Sequence, residues 1–309
     1  MSAGAAKVPT PKDREPMSAD LLKTMNCSTF ARRVPALAFV VAAGLALAGC
    51  ETVGSGLGAS GPKIAEVEAP DGSFSDNIGS LNEVVKRNPD NPAPLNTRGT
   101  AFARAGRYQE AIADFSQALK LDPNNAVAYT NRALAERQIG KNDIALADFG
   151  RAIAANPNHA PAYLGRANLL RSQGNLTEAM SDLDRAIRLA PEDAQAFHAR
   201  GLIHQRNGDH PRAVTDFDNA IDRNPFASAP YQARGQSLIE LGKFDAAVED
   251  FNAALNVDNR NADAWAGLGL AYERQGNRAK AQESYGRALI VDPGNKVARD
   301  GQSRVGGRS

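Results

Sequence analysis

The chain has 309 residues, with 36 Lys and Arg against 35 Asp and Glu, and its 42% hydrophobic content is near the globular average. A formal net charge of +1 at pH 7 excludes a nucleic-acid footprint spread over the whole surface. The two cysteines, Cys27 and Cys50, both precede the repeated part of the chain, so that part is held by packing and not by disulfides.

Residues 1–24 are mostly polar, and Met17 and Met25 offer later starts, of which Met25 suits the stretch after it. From Met25 the chain reads MNCSTFARRVPALAFVVAAGLALAGC: the cations Arg32 and Arg33, an apolar run from Val34 to Ala48, then small residues. This is the layout of a secretory signal, and its run of about 15 apolar residues is short of the ~20 that a membrane-spanning helix needs. Arg32-Arg33 is not read as a twin-arginine signal, because Ala31 precedes it and no Phe-Leu-Lys follows.

Leu47-Ala48-Gly49-Cys50 resembles the lipobox of bacterial lipoproteins. The resemblance implies that Cys50 carries the lipid, becomes the first mature residue and receives further acyl chains such as palmitate, anchoring the chain in the envelope so that it faces the periplasm. Only a thiolate is nucleophilic enough to take the lipid as a thioether, and small residues before it fit a narrow protease site. Glu51 stands where some envelopes use Asp as an inner-membrane retention signal, which favours the outer membrane. Residues 1–49 are thus read as extra residues plus signal, and 50–76, rich in Gly, Ser, Ala and Pro, as the lipidated cysteine and a flexible tether. Gly54, Gly56, Gly58 and Gly61 nearly spell a nucleotide-binding fingerprint, but no strand precedes them and no helix follows at the right place.

Residues 77–91 hold the register of a second repeat helix, with Leu81, Val84, Val85 and Pro89 at its large, packing and proline positions, and read as a degenerate half repeat. From residue 92 a 34-residue period runs six times without a gap, as 92–125, 126–159, 160–193, 194–227, 228–261 and 262–295. Its eighth, twentieth and twenty-seventh positions are always Gly or Ala, which lets helix backbones approach. Large residues recur at the fourth position from the second repeat on (Tyr129, Tyr163, Phe197, Tyr231, Trp265) and at the twenty-fourth throughout (Phe115, Phe149, Leu183, Phe217, Phe251, Tyr285). Gly106, Gly140, Gly174, Gly208, Gly242 and Gly276 occupy the fifteenth, where a helix ends best without a Cβ. Pro123, Pro157, Pro191, Pro225 and Pro293 stop the second helix and are expected in the first turn of the next.

At these positions the chain resembles the tetratricopeptide repeat (TPR) family. The resemblance implies an all-α, right-handed solenoid of antiparallel helix hairpins, with at least thirteen helices once the half repeat is counted. Residues 296–309 begin like another first helix and dissolve into Gly and Arg, so a short cap and a loose tail are expected.

Two charged positions vary together. The seventh carries Arg98, Arg132, Arg166, Arg200 and Arg234 but Leu268 last; the twenty-third carries Asp114, Asp148, Asp182, Asp216 and Asp250 but Ser284 last. Pairing within a repeat uses every member, whereas pairing with the next repeat strands Asp250 against Leu268, so structural pairs inside each repeat are expected.

No catalytic constellation, cofactor motif or metal site is read. His159, His198, His204 and His210 do not pair at helical spacing, and most carboxylates recur with the period, as scaffold does. The family resemblance implies a concave groove lined by first helices and a protein or peptide partner. Carried onto this chain, it implies a groove lined by Asn96, Thr100, Arg104, Thr130, Arg137, Asn168, Arg171, His198, Arg206, Gln232 and Gln236, with Leu134, Leu164 and Ile239 among them. Arg104, Arg137, Arg171 and Arg206 form a basic stripe suited to an acidic segment or terminal carboxylate, and Glu240, Asp263 and Glu273 make the far end acidic. The expected role is a membrane-anchored adaptor. The alternatives are a peptidoglycan-binding module and a pilus or secretion-channel assembly lipoprotein.

Overall fold

The computed structural model describes residues 74–307, which form fourteen α-helices and no strand. The signal of residues 1–49, Cys50 and the tether as far as residue 73 lie outside the described residues. Helix α1 (Phe74–Arg87) begins inside the stretch expected to be tether. The sequence Ser73-Phe74-Ser75-Asp76 has the Ser-x-x-Asp spacing of a helix start, which is the signal that boundary overlooked.

Six hairpins follow. They are α2 (Pro92–Arg104) with α3 (Tyr108–Leu121), α4 (Ala126–Gln138) with α5 (Asn142–Ala155), and α6 (Ala160–Gln173) with α7 (Leu176–Leu189). Then come α8 (Ala194–Arg206) with α9 (His210–Arg223), α10 (Ser228–Glu240) with α11 (Phe244–Val257), and α12 (Ala262–Arg274) with α13 (Arg278–Val291). A last helix, α14 (Lys296–Gly306), ends the array.

Each first helix stops at its fifteenth-position glycine, where φ lies between +72° and +86°, a conformation that costs a residue with a Cβ about 1 kcal/mol. Prolines such as Pro123 stop the second helix but do not enter the next one. They sit in the connecting turn. The following helix is instead started at the thirty-fourth position, where the side chains of Asn125, Asp193, Asn261 and Asn295 accept a hydrogen bond from a first-turn N–H. The prolines at the first or second position of a helix are Pro92, Pro161 and Pro211.

The core runs the length of the array. Phe115, Phe149, Leu183, Phe217, Phe251 and Tyr285 have no exposed surface, and small residues face them. A Cβ on Gly165 would lie 2.4 Å from the Phe149 ring, so this ring needs a neighbour without one. The fourth-position aromatics, apart from the buried Phe197, are not core knobs of the same kind. Tyr129, Tyr163, Tyr231 and Trp265 are only half buried. The guanidiniums of Arg132, Arg166, Arg200 and Arg234 lie 5.6 to 6.0 Å from the centres of the Tyr129, Tyr163, Phe197 and Tyr231 rings, within cation–π range.

Helix α14 is longer and better packed than a dissolving tail. Ala298, Gly301 and Val305 are buried on one face, and a Cβ on Gly301 would fall 2.2 Å from the Tyr285 ring. Along the array each first helix touches the next, from α2 with α4 to α12 with α14, whereas no second helix touches the next second helix. The first helices are therefore the tighter, inner layer, and the array curves around them.

Candidate functional site

The inner layer is held in place by a ladder of ion pairs. The Nε and Nη2 of Arg98, Arg132, Arg166, Arg200 and Arg234 donate to both carboxylate oxygens of Asp114, Asp148, Asp182, Asp216 and Asp250, at 2.6 to 2.9 Å. Each couple lies within one hairpin. The aspartate side chains are at most 9% exposed, and their hydrogen bonds hold the arginine pKa values above the ordinary value. A third nitrogen reaches the preceding helix: Nη1 donates to Asn82, Ser116, Asp184 and Asp218 from Arg98, Arg132, Arg200 and Arg234. Sequence reasoning missed this set, although its twenty-fifth-position spacing is constant. Gly150 occupies that position before Arg166 and has no side chain to offer. In the last repeat Leu268 is buried, and the Ser284 hydroxyl turns back to the Lys280 carbonyl.

The residues expected to line the groove divide into three groups. Thr130 does not belong to an open face: it is 3% exposed, and its hydroxyl donates to the Ala126 carbonyl one turn back. Leu134, Leu164 and Ile239 are likewise buried, as floor. A second group bonds internally. Asn96 accepts from the Asn131 amide at 3.2 Å and Gln232 from the Asn261 amide at 2.8 Å, each tying one repeat element to the next, while Thr100 donates to the Asn96 carbonyl.

The third group is polar and at least partly exposed. Arg104, Arg137, Asn168, Arg171 and His198 are half buried, and Arg206 and Gln236 are exposed. Among the described residues none of Arg137, Arg171 and Arg206 has a carboxylate partner, and the Arg171 Nε is buried without a hydrogen bond. Burial lowers the pKa of Arg137, and burial together with the Arg206 charge lowers that of Arg171. Next to them His198 packs on the Phe217 ring at 5.8 Å between centroids. Burial, reinforced by Arg171, pushes its imidazole down to about 4. The middle of the inner layer thus concentrates uncompensated positive charge in a partly desolvated setting.

The far end differs from expectation in one respect. Glu273 is not free: Arg304 donates to both its oxygens at 2.7 and 2.9 Å, and the Tyr285 hydroxyl donates at 2.6 Å. Glu240 and Asp263 remain, beside a cavity of about 150 Å³ between α10, α12 and α14. No group of His, Cys, Asp and Glu suited to a metal occurs among the described residues.

A TPR repeat family model matches residues 99–136 and 235–276, and two tetratricopeptide repeat models match 130–194 and 262–295, together half of the chain. The chain belongs to the tetratricopeptide repeat family. No curated protein matches this TPR chain in sequence. Among solved structures, the APC/C hetero-tetramer Cut9-Hcn1 is 22% identical with a TM-score of 0.67, over 75% of this chain and 46% of that one. YrrB, described as a TPR protein with an unusual peptide-binding site, is 24% identical with a TM-score of 0.53, over 61% and 97%. PilW, described as a widely conserved type IV pilus biogenesis factor, is 20% identical with a TM-score of 0.61, over 68% and 97%. At such identities the likeness is one of fold, and the TPR fold is that of a protein-interaction scaffold.

Proposed function

We propose that this TPR protein is a lipid-anchored adaptor of the bacterial cell envelope, holding an extended acidic segment of a partner protein along its inner helix layer and carrying out no chemistry itself. The observation that supports this reading is the contrast between two sets of arginines. Those of the ladder are each committed to a carboxylate, while Arg137, Arg171 and Arg206, on three successive first helices, are not. A half-buried guanidinium without a counter-ion has lost hydration without compensation, and a carboxylate arriving there restores it through charge-assisted hydrogen bonds of about 1.5–3 kcal/mol each. The anchor and the periplasmic placement rest on Cys50 and the signal before it, and the choice of the outer over the inner membrane on Glu51.

The likeness in fold to PilW favours a second reading, an assembly lipoprotein for a pilus or secretion channel. It uses the same groove and differs only in the partner. A peptidoglycan-binding module is less well supported, since the polar side chains expected along the groove are Arg, Asn, Gln and His, and the half-buried rings of Tyr129, Tyr163, Tyr231 and Trp265 already have arginines against them.

The test is capture of envelope proteins by the full chain and by its Arg137→Ala/Arg171→Ala variant, with circular dichroism to establish that both fold. Loss of a protein partner, weakened further by salt in the parent, supports the groove. A folded variant that retains every partner overturns it. Separately, Cys50→Ser should move the protein out of the membrane fraction and abolish palmitate labelling; a variant still labelled and sedimenting with membranes overturns the anchor.

A further inference from the structure

The inner layer does not end as it begins. Past the arginines, α10, α12 and α14 line the open cavity of about 150 Å³, whose apolar lining includes Ile239, Ala266, Leu270 and Val297, the last 48% exposed. A cavity of about this size is enough to hold a benzene molecule, hence one aliphatic side chain. Two carboxylates also line it, one from α10 and one from α12. Glu240, at the end of α10, has no hydrogen-bond or ionic partner among the described residues. Asp263, in the first turn of α12, accepts from the Asn295 amide at 2.8 Å, which holds it in place without neutralising it. Arg304, on α14, is committed to Glu273 and balances neither of them.

We propose that the occupant of the groove is bipolar: an acidic stretch on Arg137, Arg171 and Arg206, and, further along, one aliphatic residue adjoining a Lys or Arg that pairs with Glu240 or Asp263. This deepens the adaptor reading and rests on it. The spacing comes from geometry. Packed helices lie about 8–10 Å apart and an extended chain advances about 3.3 Å per residue, so one arginine-bearing helix corresponds to about three residues of ligand. The pocket begins one to two first helices beyond Arg206, which places the aliphatic residue about three to six positions from the last acidic one.

The probes are fluorescein-labelled synthetic peptides: one with Glu at every third position three times over in a Gly-Ser background, and one with the same acidic part followed, after four Gly-Ser residues, by Leu-Lys. A third carries the bipolar sequence reversed, because either chain direction fits. Titrated with the full chain, the bipolar peptide in one direction should bind about tenfold more tightly than the acidic one. Glu240→Gln/Asp263→Asn should remove that gain and leave the acidic peptide unaffected, while Arg137→Ala/Arg171→Ala should weaken all three. Equal binding of acidic and bipolar peptides in both directions overturns the bipolar occupant and leaves the arginine groove standing. No measurable binding of any peptide at about 1 mM, or indifference to the arginine substitutions, overturns the groove and the bipolar occupant together. A dimer seen by sedimentation and abolished by Glu240→Gln/Asp263→Asn assigns the pocket to a second copy, and also overturns the proposal.

Discussion

At the scale of single residues, the arginine and aspartate ladder shows how a charge becomes part of a packed layer. Arg166 and Asp182 are the cleanest couple, because Gly150 removes the third contact that the Arg98, Arg132, Arg200 and Arg234 guanidiniums make with the preceding helix. Asp182→Ala leaves a half-buried guanidinium unpaired and should cost about 2 kcal/mol, below the 3–5 of a fully buried pair because the Arg166 side chain is 29% exposed. Adding Arg166→Leu should recover part of that loss, and denaturant unfolding of the two single variants and the double one measures the coupling; strict additivity means that the pair is not a unit. His198 makes the second prediction at this scale. Its folded-state value of about 4 lies below the ordinary histidine value, so below pH 6.5 the unfolded chain takes up a proton that the folded chain does not. Its effect is nil above that pH and destabilising as pH falls toward 4, by about 2 kcal/mol between pH 6.5 and 5. His198→Gln should remove that slope, and a melting curve series over this range that is unchanged by the substitution contradicts it.

At the scale of elements, what matters is how closely one helix lies on the next, and two glycines of neighbouring sequence separate closeness from mere permissiveness. Gly165, on α6, meets the Phe149 ring where its Cβ would go, so Gly165→Ala forces ring or backbone to shift and should cost about 1–3 kcal/mol. Gly150, inside α5, has open space there, so Gly150→Ala should stabilise by about 0.5–1 kcal/mol through helix propensity alone. Thermal unfolding of the two variants should move in opposite directions; a common direction means that the ring is not the constraint. The hairpin itself was legible because its signals are periodic, with a glycine stop every 34 residues and small residues where helices touch. Other features lie outside what a period reports. It marks Pro123 as a stop without saying that the turn, and not the next helix, holds it, the start being delegated to Asn125. It counts Thr130 among the first-helix faces because its spacing is right, but a hydroxyl bonded to the carbonyl four residues back looks the same in sequence as one offered to a ligand. The commitment of Glu273 was hidden for another reason: its partner Arg304 lies beyond the last full repeat, where no earlier copy provides a comparison.

At the scale of the whole array, stability is a sum over neighbours, and the end is fastened by different means from the middle. The sixth repeat lacks the ladder, having Leu268 and Ser284 in its place, and its hold on α14 passes instead through Glu273, which takes Arg304 and the Tyr285 hydroxyl, and through Arg278, which donates to the Val305 carbonyl. Glu273→Ala removes the acceptor shared by Arg304 and Tyr285 and should cost the terminal helix about 1–2 kcal/mol, since the site is partly exposed. In an array whose helices touch only near neighbours, that loss has no route to the far end. Amide exchange in α13 and α14 should therefore quicken about tenfold while α2 to α9 keep their protection. Acid should do the same to the parent protein. The Arg304 hydrogen bonds hold Glu273 below the ordinary carboxylate value, so its stabilising contribution is complete above the unfolded pKa and is lost as pH falls through the lower folded one. Exchange that quickens evenly from α2 to α14 in the Glu273→Ala variant would mean that the array unfolds as one body and that its terminal lock is felt by every repeat.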